Sequence, residues 1–211
     1  MRKPLVAGAV LGVLLAGVPA PLMAARDTPV VIRTYDASGL PEADRGAALA
    51  AAITILEDAG LAVARLACEQ VGAAALVHPC LLPLGPHELS LRLVRLSADN
   101  PDAAHVTLGY SLVDTRVRFG SLATVYVDRV AGLAAASRVD LPTLLGRAIA
   151  HEIGHLLLGT AAHARAGVMR AVWSPDAIRM NRLGDWAFTP RDAQALRASA
   201  RRRTARPLQT W

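Results

Sequence analysis

The sequence predicts an α+β fold built as a single domain. Three observations carry this. The elements run strand, helix, three or four further strands, then one long helix. The length of 211 residues favours one domain. The hydrophobic content of 53% supplies a core, although alanine makes up much of it.

The chain begins with a basic start, Met1-Arg2-Lys3, and an apolar run from Pro4 to Val18. Small residues from Pro19 to Ala25 precede the charged pair Arg26-Asp27. Residues 1–25 therefore read as a secretory signal peptide cut after Ala24 or Ala25. The run is short and proline-broken for a spanning helix, and no later segment is long and apolar enough to span a bilayer. The expected protein is secreted or periplasmic, with no stable membrane insertion after cleavage. Its folded domain covers residues 26–200, and a basic tail covers 201–211.

Val30–Tyr35 is β-branched and bounded by Pro29 and Gly39, which predicts the first strand. Pro41 to Gly60 predicts a helix: Glu42 and Asp44 suit its positive end, and Leu49, Ala52, Ile53 and Leu56 share one face. Leu61 to Cys68 reads as a second strand. Val71 to Pro86 holds three prolines and reads as a loop. Leu89, Leu91 and Leu93 alternate with polar residues in a third strand, and Ser97 to Ala104 is a loop. Val106–Val113 and Leu122–Val130 are the fourth and fifth strands, with a turn around Gly120 between them. Asp140 caps the long helix, with Pro142 in its first turn. Thr189-Pro190 opens a last helix to about Ala200.

Composition narrows the function classes. Every cation after Lys3 is arginine, and several of these sit in the tail at Arg201, Arg202, Arg203 and Arg206. The tail carries no aromatic interleaving and no nucleic-acid motif, so it reads as a solvated terminus, with no nucleic acid as partner. Cys68 and Cys80 form an even pair in an exported chain, which points to a disulfide worth about 3 kcal/mol. The alternative is two buried free thiols.

The chemistry is concentrated in His151-Glu152-Ile153-Gly154-His155, inside the apolar helical run Leu144–Leu158. Residues four apart share a helix face, so His151 and His155 can aim imidazole nitrogens at one point. Glu152 would lie beside a metal bound there, where it can take a proton from water. Zinc suits such a site, since it accepts imidazole and keeps a position open for water. Unpaired His and Glu would be costly to bury in so apolar a helix. Gly159 offers a left-handed stop, His163 follows, and Gly167-Val168-Met169 comes shortly after.

This series of residues resembles the metzincin clan of zinc metallopeptidases. More narrowly, it resembles small secreted bacterial proteins that carry the same stretched motif. The clan pattern is His-Glu-x-x-His-x-x-Gly-x-x-His; this chain has one extra residue before Gly159 and one after it. The resemblance covers Ala148–Met169 specifically. It implies a twisted mixed sheet backed by two helices, with the active cleft under an edge strand. It also implies Met169 in a turn beneath one catalytic zinc. The edge is either Val106–Val113 or Leu122–Val130.

The third ligand is His163, with Asp176 as the alternative and Asp185 behind it. No glutamate follows Glu152, which excludes a downstream glutamate ligand. If the helix ran on, His155 and His163 would be ~12 Å apart, so the chain has to stop at Gly159 and fold back. His78, His87 and His105 precede the motif and read as loop or sheet residues. Trp173 either walls a substrate pocket or is simply buried. The implied function is a secreted zinc-dependent endopeptidase acting on protein or peptide, with Glu152 as base. The alternative is an exported zinc-binding or interaction module with no turnover.

Overall fold

The computed structural model describes residues 28–68, 78–96 and 107–205. The expected signal peptide, the Ser97–Ala104 loop, His105 and the tail from Arg206 onward lie outside the described residues. Five strands form one mixed sheet: β1 (Val30–Asp36), β2 (Val63–Ala67), β3 (Glu88–Val94), β4 (Gly109–Asp114) and β5 (Phe119–Tyr126), in the order β2-β1-β3-β5-β4. β1 runs parallel to β2 and β3, and β3 runs parallel to β5. Only β4 is antiparallel to its neighbour, and it forms one edge. Five helices complete the α+β fold: α1 (Glu42–Asp58), α2 (Val127–Ser137), α3 (Leu141–Leu158), α4 (Pro175–Met180) and α5 (Pro190–Thr204).

The core is organised around α3. Every residue from Leu144 to Leu157 is buried, the pattern of a helix enclosed on all sides. α1 packs along it, β4 and β5 lie against it, and α2 and α5 close the remaining sides. Asp140 caps its start, accepting from the Thr143 N–H at 2.9 Å. α1 contributes Ala48, Leu49, Ala52 and Leu56 to the core, spaced for one face, while β3 buries Leu89, Leu91 and Leu93.

The disulfide between Cys68 and Cys80 is formed, with the two Cα atoms 5.7 Å apart. It ties the end of β2 to a 3₁₀ turn at Pro79–Leu81. The buried Arg33 guanidinium pairs with Glu88 and donates to Leu82 O at 2.8 Å, holding the following loop. Of the expected loop, residues 71–77 lie outside the described residues. Among the described residues no helix is long and apolar enough to cross a membrane.

The structure corrects the sequence expectations in four places. The fifth strand ends at Tyr126, and Val127–Ser137 is helical. Its buried residues Val127, Val130, Ala134 and Ser137 fall at helical spacing, which outweighs the β-branched start. The turn before β5 lies at Thr115–Arg118, so Phe119 and Gly120 already belong to the strand. α4 was not anticipated, although Ser174-Pro175 repeats the cap-and-proline signature of Thr189-Pro190.

The fourth correction concerns the basic tail. α5 runs on to Thr204, and Arg203 is only 3% exposed, not solvated. Its Nη2 donates to Gly120 O at 2.6 Å and to Leu156 O at 2.8 Å, and its guanidinium lies over the Phe119 ring. Leu156 O is one of the last carbonyls of α3, which have no partner within the helix. Replacing Arg203 by Met keeps the bulk but strands two buried acceptors. Arg203→Met is expected to lower unfolding free energy by about 2 kcal/mol. Arg202→Met, at an exposed position, should change it by less than about 0.5 kcal/mol. Urea denaturation of the two variants measures the difference.

Candidate metal centre

His151, Glu152 and His155 lie on consecutive turns of α3 and are all buried, at 9%, 7% and 6% exposure. His151 Nδ1 is 2.8 Å from Val168 O, and His155 Nδ1 is 2.8 Å from Thr160 O. A carbonyl oxygen only accepts, so in each ring Nδ1 carries the proton. Burial pushes the His151 pKa down to about 4 and also lowers that of His155. Both rings are therefore neutral near pH 7, and each Nε2 is a bare lone pair. The two Nε2 atoms face each other at 3.1 Å. Two lone pairs at that distance repel, and neither can donate to the other. A cation between them resolves the conflict: two imidazole nitrogens ~2.0–2.1 Å from one tetrahedral ion stand ~3.3 Å apart.

His163 completes the group. α3 ends at Gly159, whose φ of 64° and ψ of 41° are left-handed. The N–H groups of Gly159 and Thr160 both donate to His155 O, closing the helix. The chain then turns back. Thr160 Oγ1 accepts from Ala162 N at 3.0 Å, and Ala164 N donates to Met169 O at 2.8 Å. This return path sets the His163 ring 5.2 Å from His151 and 4.9 Å from His155, centroid to centroid. One ligand atom from each of the three histidines lies within 4.8 Å of the others. The donor set is three imidazoles, which fits a divalent ion of borderline softness.

Asp176 is not part of this group. It sits in the first turn of α4, exposed, and its carboxylate is paired with Arg179. Asp185 lies 3.8 Å from Arg170 Nη1 and is also outside the group. Met169 is 1% exposed and packs against α3 between the two helical histidines. A Cβ on Gly154 would stand 2.5 Å from Met169 Sδ and 2.8 Å from Phe188 Cε1, so only a bare Cα fits there.

The cleft over this group has a volume of about 410 Å³. The β4 segment Gly109–Ser111 forms one wall, and Leu133, Val172 and Trp173 contribute to the others. Trp173 meets His151 edge-on at 5.6 Å and Trp186 at 5.2 Å, so it is both pocket wall and packing partner. The edge strand is β4; the segment expected at Leu122–Val130 is interior strand followed by helix. Burial raises the Glu152 pKa to about 7, against the opposing pull of a hydrogen bond from Ser111.

Sequence reasoning missed Gly154, Ser111 and the two carbonyls that orient the rings. A glycine inside a helix costs about 1 kcal/mol, so Gly154 was itself a signal of a close approach. A serine in a strand and a backbone carbonyl leave no such mark.

In comparison with known proteins, the chain matches no family model and no curated protein sequence. The assignment of the site therefore rests on its side chains, and substitutions test it directly. His163→Ala is expected to weaken cobalt(II) binding by at least roughly a hundredfold and Gly159→Val by roughly tenfold. Gly159→Val removes no ligand, but its Cβ would stand 2.5 Å from Arg118 O at a left-handed φ. Asp176→Ala should bind as the parent does. Titration against a competing chelator measures all three.

Proposed function

We propose that the protein is a secreted zinc-dependent endopeptidase of metzincin type. The observation that carries this reading is the convergence of three imidazoles beside a buried carboxylate, in a cleft walled by a sheet edge. His151, His155 and His163 would hold the ion. When bound, zinc supplies a Lewis acid that acidifies a water and polarises a peptide carbonyl. Glu152 takes up the water's proton on its carboxylate and returns it to the nitrogen of the leaving amine. β4 pairs with β5 alone among the described strands, so its free edge can hold an extended peptide by main-chain hydrogen bonds. Trp173 and the apolar wall at Leu133 bound the space for a substrate side chain.

The formed disulfide agrees with an oxidising compartment outside the cytoplasm. The motif over Ala148–Met169 and the edge position of β4 agree with the metzincin resemblance.

The test uses the mature protein and a broad peptide library, with and without a chelator. The parent is expected to hold about one zinc per chain and to cleave in a chelator-sensitive manner. Glu152→Gln should keep the zinc and lose activity by 10²–10⁴-fold, the usual contribution of a general base. His155→Ala should lose most of the zinc. Cleavage unaffected by Glu152→Gln would contradict the assignment. Bound zinc with no cleavage of any peptide would leave a zinc-binding module without turnover.

A further inference from the structure

Glu152 does not hang free in the cleft. The Ser111 hydroxyl on β4 stands 2.6 Å from Glu152 Oε2 and 2.8 Å from the main-chain oxygen of the same residue. Two residues earlier on the same strand face, Gly109 presents a bare Cα to the carboxyl. A Cβ at Gly109 would stand 3.0 Å from Glu152 Cγ and 3.1 Å from Oε1. The inner face of β4 thus forms a seat of two parts, a gap at 109 and a donor at 111.

We infer that Ser111 is a positioning residue for the proposed reaction, fixing the Glu152 carboxyl against the edge strand. The inference rests on the endopeptidase reading and assigns a residue that the histidine motif does not contain. A glutamate side chain has three rotatable bonds, and packing alone leaves its terminal carboxyl torsion broad. One short hydrogen bond to Oε2 restricts that freedom, and the missing Cβ of Gly109 leaves the space that Cγ and Oε1 occupy. The second acceptor, Glu152 O, ties the same hydroxyl to the backbone of α3.

The experiment compares Ser111→Ala and Ser111→Thr in the full zinc-loaded chain. Ser111→Ala is expected to lower kcat by roughly ten- to a hundredfold, the worth of a hydrogen bond to a charged group. KM and zinc content should not change. Ser111→Thr keeps the hydroxyl on a residue suited to a strand, and should recover most of kcat. A second readout does not depend on turnover. In protein labelled with ¹³C at glutamate Cδ, the Glu152 signal is the one lost in Glu152→Gln. That signal should move in Ser111→Ala and return in Ser111→Thr. An unmoved signal with kcat within twofold of the parent would overturn the inference. So would a fall in kcat that tracks zinc loss, or one shared equally by Ser111→Thr. If the parent cleaves nothing, the endopeptidase reading fails, and the carboxyl signal alone decides the role of Ser111.

Discussion

The site depends on two hydrogen bonds, from His151 Nδ1 to Val168 O and from His155 Nδ1 to Thr160 O. Both acceptors belong to the chain that follows α3, not to the helix itself. A helix supplies the spacing of the two rings, but it does not decide which nitrogen faces the cleft. That decision belongs to the loop, since each carbonyl claims one N–H and leaves Nε2 bare. The left-handed residue Gly159 brings Thr160 O back over the last turn. The same reversal carries His163 to the other two histidines, so one backbone feature both sets a tautomer and completes the group of three imidazoles.

Packing holds this loop in place. Met169 and Phe188 press on the bare Cα of Gly154, and Val168 N donates to Ala187 O at 2.9 Å. The segment carrying the Val168 carbonyl is therefore clamped between α3 and the run into α5. On the far side, Arg203 from α5 satisfies Leu156 O at the end of α3. Burying three polar side chains of α3 in an apolar interior is costly without such partners. Here each has at least one hydrogen bond: two to carbonyls and one to Ser111.

Much of this was legible in the sequence. The limits of α3 follow from Asp140, Pro142 and Gly159, each with a local mechanism. β1 and β3 follow from their composition and alternation, and the cysteine pair from compartment and parity. The histidine motif marked the helical part of the site without reference to the fold. What was not legible depends on tertiary contact. The β5–α2 junction carries no glycine or proline, and the valines of early α2 favour a strand until they are packed. The tail arginines look alike as a string, yet among the described residues Arg201, Arg202 and Arg203 only Arg203 turns inward, because two carbonyls of α3 and β5 await it. Ser111 acquires a meaning only when β4 is placed at the sheet edge over Glu152. The choice between His163 and Asp176 required the path of the return loop, which spacing alone leaves open.

The proposed function requires that His151, His155 and His163, with no other side chain, hold one zinc ion. X-ray absorption at the zinc edge of the mature protein reads that shell. The expected result is a first shell at ~2.0–2.1 Å with multiple-scattering features of three imidazole rings and one further oxygen. A shell with two imidazoles and a carboxylate, a sulfur distance near ~2.3 Å, or six oxygens would contradict it.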